Sequence, residues 1–271
     1  MRVQRLVAVL LLIGCTASQE PAPATAESPT QPSSPTSTQT AAPPATQTAA
    51  PPPAQPPQQK EIEIRRVTAA NPVVIEGLAR TFENQVAIRI RDARGLLLVE
   101  TFTTSRGEIG HHNPFTATVF LTRDPGRRIT VEALEYSAKD GSERSLDARS
   151  ADFNVELLSA ELWLPESNPS DCRRVAAVRR TMPKSISMAR LLVEALIADP
   201  RSPFPKGSAV RSINIRDGVL TVDFNERLQN VGGACAAQAI RASVEATLKR
   251  LPAVREVVIA AAGSRELALQ P

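Results

Sequence analysis

The stretch Val86-Ala87-Ile88-Arg89-Ile90-Arg91 decides the fold of the first half of the chain. Its apolar residues, Val86, Ile88 and Ile90, occupy every second position, with Ala87, Arg89 and Arg91 between them. Successive side chains of a strand point to opposite faces, so this pattern predicts a strand with one face on a core. Working outward, Phe115, Ala117, Val119 and Leu121 repeat the alternation, as do Ile129, Val131 and Ala133. Turn-forming residues separate the runs: Asn71-Pro72, Asp92-Ala93-Arg94-Gly95, Asp124-Pro125-Gly126 and Lys139-Asp140-Gly141. Short strands punctuated this regularly, with no helical stretch between them, predict an antiparallel β-sandwich over residues 61–154.

From residue 155 to 271 the period is mixed. Residues 160–164 and 174–180 read as strands. Residues 187–198 read as a helix, with Met188, Leu191, Leu192, Ala195 and Leu196 on one face and Asp199-Pro200 as its stop. Residues 210–215 and 219–224 alternate around Asp217-Gly218, the dipeptide of a type I′ hairpin. A second helix is expected from Ala234 to Leu251, striped by Ile240, Val244, Leu248 and Leu251, followed by closing strands over 254–260 and 266–269. Helices covering one face of a sheet make this an α+β domain.

The N-terminus speaks to location. Arg2 and Arg5 precede an apolar run from Leu6 to Ile13 that ends in Gly14-Cys15. That order predicts a secretory signal peptide over residues 1–14, too short to span a bilayer. Its end resembles the lipobox of bacterial lipoproteins, which implies lipid attachment at Cys15 and an extracytoplasmic, membrane-anchored lipoprotein of the cell envelope. Residues 15–60 then form a Pro-, Thr-, Ala- and Gln-rich linker with Glu20, Glu27 and Lys60 as its charges. Too little apolar matter is present to offset the entropy of ordering, so a disordered stalk is expected. Nothing later is apolar for long enough to cross a membrane.

Charge excludes one class of partner. Lys and Arg number 13 against 14 Asp and Glu in residues 61–154, and 16 against 12 in residues 155–271. Neither half carries the basic excess that nucleic-acid binding requires. With Cys15 acylated, Cys172 and Cys235 remain as an even pair outside the cytosol, which reads as a disulfide or as two buried thiols. A bond between them would close a loop of about 64 residues and contribute about 4 kcal/mol through chain entropy.

At this point the residues resemble known families. Gly77-Leu78-Ala79-Arg80-Thr81-Phe82-Glu83, Arg91-Asp92-Ala93-Arg94-Gly95, Glu100-Thr101-Phe102-Thr103-Thr104 and Glu135-Tyr136-Ser137-Ala138-Lys139-Asp140-Gly141-Ser142 are similar to the immunoglobulin-like domain of bacterial spore germination. Arg179-Arg180-Thr181-Met182-Pro183-Lys184, Ile215-Arg216-Asp217-Gly218, Val222-Asp223-Phe224, Gly232-Gly233 and Ala239-Ile240-Arg241-Ala242 resemble the GerMN domain of sporulation and germination. The resemblance implies a pair of envelope interaction or assembly modules, with no catalytic residue carried over. The GerMN fold also resembles ring-building modules, which implies assembly into a homo-oligomer as an alternative role.

Chemistry-bearing residues are few. His111-His112 is a pair without a third ligand nearby in sequence, so no metal or cofactor is expected. Asp223 and Glu226 could pose as a glycosidase pair and keep a cell-wall hydrolase, or an activator of one, as the enzymatic alternative. Their place at a strand end reads instead as solvated edge residues. Gly232-Gly233 before the second helix lacks the Lys-Ser/Thr of a phosphate loop. Arg173, Arg174, Arg179 and Arg180 are candidate contacts for an anionic ligand, wall polymer or phospholipid headgroup; alternation along a strand would split them between two faces. The leading expectation is a non-enzymatic lipoprotein that binds envelope components.

Overall fold

Two antiparallel sheets form the first half of the folded chain. The computed structural model describes residues 60–166 and 171–270; the signal segment, Cys15 and the stalk before Lys60 lie outside the described residues. One sheet has the order β1 (Ile62–Thr68), β2 (Val73–Ala79), β5 (Asn113–Val119). The other runs β4 (Leu97–Thr104), β3 (Gln85–Asp92), β6 (Arg128–Tyr136), β7 (Glu143–Asp152). The inward positions are those the alternation assigns. Val86, Ile88, Ile90, Phe115, Ala117, Val119, Ile129, Val131 and Ala133 pack with Ile62, Ile64, Val73 and Ile75 in one buried cluster. Each large apolar side chain buried this way contributes roughly 1.5–3 kcal/mol.

Side chains close the seams between the sheets, which leaves fewer free strand edges. Asp147 of β7 accepts from the Ile64 amide and from Lys60 Nζ, both at 2.8 Å. Burial would raise its carboxyl pKa, but these two bonds outweigh burial and hold it below the ordinary range. On the opposite seam Thr103 Oγ1 donates to the Thr116 carbonyl at 2.8 Å.

The second half is α+β. β8 (Leu157–Pro165) and β9 (Val175–Pro183) form a hairpin, and a three-stranded sheet has the order β10 (Val210–Arg216), β11 (Val219–Phe224), β12 (Glu256–Ala261). Helix α1 (Met188–Ala198) precedes that sheet, and α2 (Ala234–Leu248) is the crossover between the parallel strands β11 and β12. The hairpin turn has Asp217 at φ 49° and Gly218 at φ 76°, the left-handed pair a type I′ turn needs. Leu162, Leu164, Met182, Leu191, Leu196, Leu220, Phe224, Ile240, Val244 and Leu248 share one core.

Three details differ from the sequence reading. Arg173 and Arg174 lie in the turn before β9 rather than on the strand. Helix α2 stops at Leu248, and Leu251 follows in a turn whose amide donates to the Leu248 carbonyl. Residues 266–269 form turns instead of a strand: Leu269 sits at φ 58° and its amide donates to the Leu228 carbonyl at 2.8 Å.

The sandwich and the α+β domain are joined by buried contacts. Asn71, 3 % exposed, donates through Nδ2 to the carbonyls of Leu121 and of Pro183 in β9, and its Oδ1 accepts the Leu121 amide at 3.0 Å. Phe120, just after β5, packs on the second core and lies 5.4 Å under the Arg190 guanidinium of α1.

Candidate functional site

The outward face of the four-stranded sheet carries apolar side chains where a solvated face would be polar. Phe102 of β4 is opposite Ala87 of β3, which is opposite Leu134 of β6. None of the three belongs to the core between the sheets, yet Ala87 and Leu134 are 2 % and 0 % exposed. Phe102 is 53 % exposed, and so is Leu146 of β7. Strand alternation places Leu146 outward, since the next residue, Asp147, turns inward to Ile64. Two exposed apolar side chains, Phe102 and Leu146, thus flank the covered Ala87 and Leu134 on this face, and exposed apolar surface of this kind marks an interaction site.

On the Phe102 side lies a cavity of about 290 Å³, lined by Phe82, Glu83, Ala87, Phe102, Glu135 and Tyr136 among others. The Phe102 and Tyr136 rings stand 6.3 Å apart at an interplanar angle of 52°. Phe82 is 62 % exposed and reaches the cavity from the 3-10 turn Phe82–Asn84. That turn is strained: Glu83 and Asn84 take φ 56° and 57°, the left-handed region that costs about 1–3 kcal/mol for a residue with a Cβ. Buried bonds hold it there. Asn84 Nδ2 donates to the Gly107 carbonyl at 2.9 Å, Asn84 Oδ1 accepts from Asn113 Nδ2 at 3.2 Å, and the Asn84 carbonyl accepts the Ser105 amide at 2.8 Å. The Glu135 carboxylate, from the cavity wall, accepts the Phe82 amide.

Beside the cavity lies an ordered row of charges. Arg89 reaches Glu143 at 2.7 Å, Glu100 at 3.3 Å and Glu132 at 3.9 Å, and Arg91 reaches Glu132 at 2.9 Å. The Arg89 guanidinium also stacks over the Tyr136 ring at 5.4 Å. The Tyr136 hydroxyl accepts from Arg89 and donates to Glu100. That bond to Glu100 pushes the Tyr136 pKa above its ordinary value and holds Glu100 below its own. Three of the stretches that carry the family resemblance, 77–83, 100–104 and 135–142, meet at this cavity.

The residues singled out from the sequence lie elsewhere. Cys172 and Cys235 are joined by a disulfide with Cα atoms 5.2 Å apart, tying the turn before β9 to the first turn of α2. The four arginines do not converge. Arg174 pairs with Glu166 at 3.4 Å, Arg179 with Glu161 across the hairpin at 3.7 Å, and Arg180 with Asp199 at 2.7 Å. Arg173 instead borders a depression on α2 with Gln238, Arg241 and Glu245. Asp223 accepts the Gly263 amide at 2.8 Å and faces Arg211 at 3.5 Å, so it braces the turn after β12. His111 faces Glu108 at 3.7 Å, and His112 bonds the Lys60 carbonyl at 3.0 Å. No group of three or more His, Cys, Asp or Glu able to hold a metal ion occurs among the described residues. No helix among them is long and apolar enough to cross a membrane.

The aromatic cavity was absent from the sequence reading. One signal for it was available: Phe102 falls on the exposed phase of its strand, where Glu100 and Thr104 are its face neighbours.

Comparison with known proteins follows the division of the two cores. Residues 55–142 match the family described as immunoglobulin-like domain of bacterial spore germination, and residues 163–266 match the family described as sporulation and spore germination. No curated protein matches the chain. Among solved structures, a candidate lipoprotein from Clostridium perfringens is 18% identical, with 41% of this chain and 80% of that one covered and a TM-score of 0.28. A tetra-tandem repeat in the extending region of a large adhesion protein is 15% identical, covering 46% of this chain and 37% of that one at a TM-score of 0.26. The folded chain consists of an immunoglobulin-like domain of bacterial spore germination followed by a sporulation and spore germination domain.

Proposed function

We propose that the protein is a non-enzymatic lipoprotein of the cell envelope, anchored by lipid on Cys15, whose two domains bind other envelope components. The observation that carries this reading is the aromatic cavity on the sandwich, walled by the exposed Phe82 and Phe102 and the half-exposed Tyr136. An exposed ring, Phe82, beside a pinned, strained turn suits binding, because strain of this kind clusters at ligand-binding and switch sites. Of the two carboxylates considered for hydrolysis, Asp223 is occupied by the Gly263 amide and by Arg211, and Glu226 opens the 3-10 turn Glu226–Leu228. The two family matches support an envelope role related to sporulation and germination.

Two measurements test it together. Wild-type protein expressed in a bacterial host should sediment with membranes, and Cys15→Ser should move it to the soluble fraction. The purified protein should release no muropeptides from cell-wall sacculi. Release that disappears in Asp223→Asn would replace the binding role with a hydrolytic one.

A further inference from the structure

The chemistry of the cavity identifies what it holds. Its lining carries two carboxylates, Glu83 and Glu135, and no basic side chain among the described residues. Of the neighbouring cations, Arg89 is engaged by Glu100, Glu132 and Glu143 and Arg91 by Glu132, while Arg144 stands opposite Glu135 in the register of β6 and β7. An anionic ligand would meet like charge there. A purely apolar one would desolvate the Glu83 carboxylate and the oxygen of Glu135 that the Phe82 amide does not occupy, which costs free energy. The aromatic walls fit a cation, because the negative face of a ring attracts positive charge within about 6 Å of its centroid. The same face of the protein already shows this contact, with Arg89 at 5.4 Å over Tyr136. Here two further rings, Phe82 and Phe102, are largely exposed to solvent.

We propose that this cavity receives a basic side chain, lysine or arginine, from a partner polypeptide, held between Phe82, Phe102 and Tyr136 and neutralised by Glu83 and Glu135. The inference rests on the binding role proposed above and names the chemistry of the partner. The volume of about 290 Å³ admits one long side chain rather than a folded element. The aliphatic stem of the guest would cover the exposed Phe102 ring, and its charged end would meet the rim.

The test uses the detergent-solubilised full chain and four probes: a capped alanine pentapeptide with a central lysine, its arginine version, its norleucine isostere, and chitobiose. Backbone amide shifts of Glu83, Ala87 and Ser137 report occupancy. The lysine and arginine peptides should shift these amides saturably and bind about ten-fold more tightly than the norleucine peptide. Phe102→Ala should weaken lysine-peptide binding about ten-fold. Glu83→Gln, an exposed change on the rim, should weaken it several-fold, and added salt should do the same. Equal binding of the norleucine peptide, tighter binding of chitobiose, or no shift with lysine would each overturn the proposal. The muropeptide assay does not involve this cavity, so the two readings can fail separately.

Discussion

Tyr136 is the only tyrosine of the chain, which makes its chemistry directly observable. Its hydroxyl donates to Glu100, and the phenol pKa is raised above the ordinary 10.0 because ionising it would break that bond and place two anions together. Arg89 donates to the same oxygen and pulls in the opposite direction, with the smaller effect. An ultraviolet absorbance titration should therefore find the phenol ionising above pH 10.0 in the native protein. Glu100→Gln should bring that midpoint down, since a neutral acceptor does not oppose the phenolate. An unchanged midpoint in the variant would mean that Glu100 does not govern the ring. The residue matters because Tyr136 forms one wall of the aromatic cavity, and its orientation is set by this pair of bonds.

Among the elements, the Cys172–Cys235 bridge couples two pieces that packing alone holds less firmly. It fastens the exposed start of α2 to the turn between β8 and β9 across a sequence separation of 63. Constraining a loop of that length in the unfolded chain is worth about 4 kcal/mol in the chain-entropy account. Cys172→Ala/Cys235→Ala, or reduction of the wild type, should thus lower the thermal midpoint by roughly 10 °C. A melt that is the same with and without reductant would contradict the bridge. How legible the elements were follows from the strength of their periods. The strands around Val86, Phe115 and Ile129 could be read because one face of each is buried and the other is not. Helix α1 could be read because its apolar stripe ends at Asp199-Pro200, where Asp199 accepts the Arg201 amide and pairs with Arg180. Residues 266–269 could not: Glu266-Leu267-Ala268-Leu269 mimics two periods of a strand, and only the left-handed Leu269 breaks it. The aromatic cavity was hidden for a different reason. Its walls come from residues 82–138, brought together by pairing between β4, β3 and β6, and Ala87 and Leu134 lie on a face that alternation assigns to solvent.

For the whole molecule, the two domains present their surfaces as one docked pair. Asn71 bonds both Leu121 of the sandwich and Pro183 of β9, and Phe120 inserts toward the second core. Burial of these groups holds the two domains in a fixed relation. The described surface offers the aromatic cavity on one sheet and a polar exterior on the other, where Thr116 and Thr118 of β5 are exposed. On the proposed function, the first of these faces, and not the second, meets a partner in the envelope. The most direct measurement places a photo-crosslinking amino acid at Thr104, beside Phe102 on the aromatic face, or at Thr118 on the other sheet, in cells expressing the full chain. Irradiation should give a discrete cross-linked partner from position 104 that is lost when Phe102→Ala is added, and none from position 118. Equal cross-linking from both positions, or a product from 104 that ignores Phe102, would contradict it.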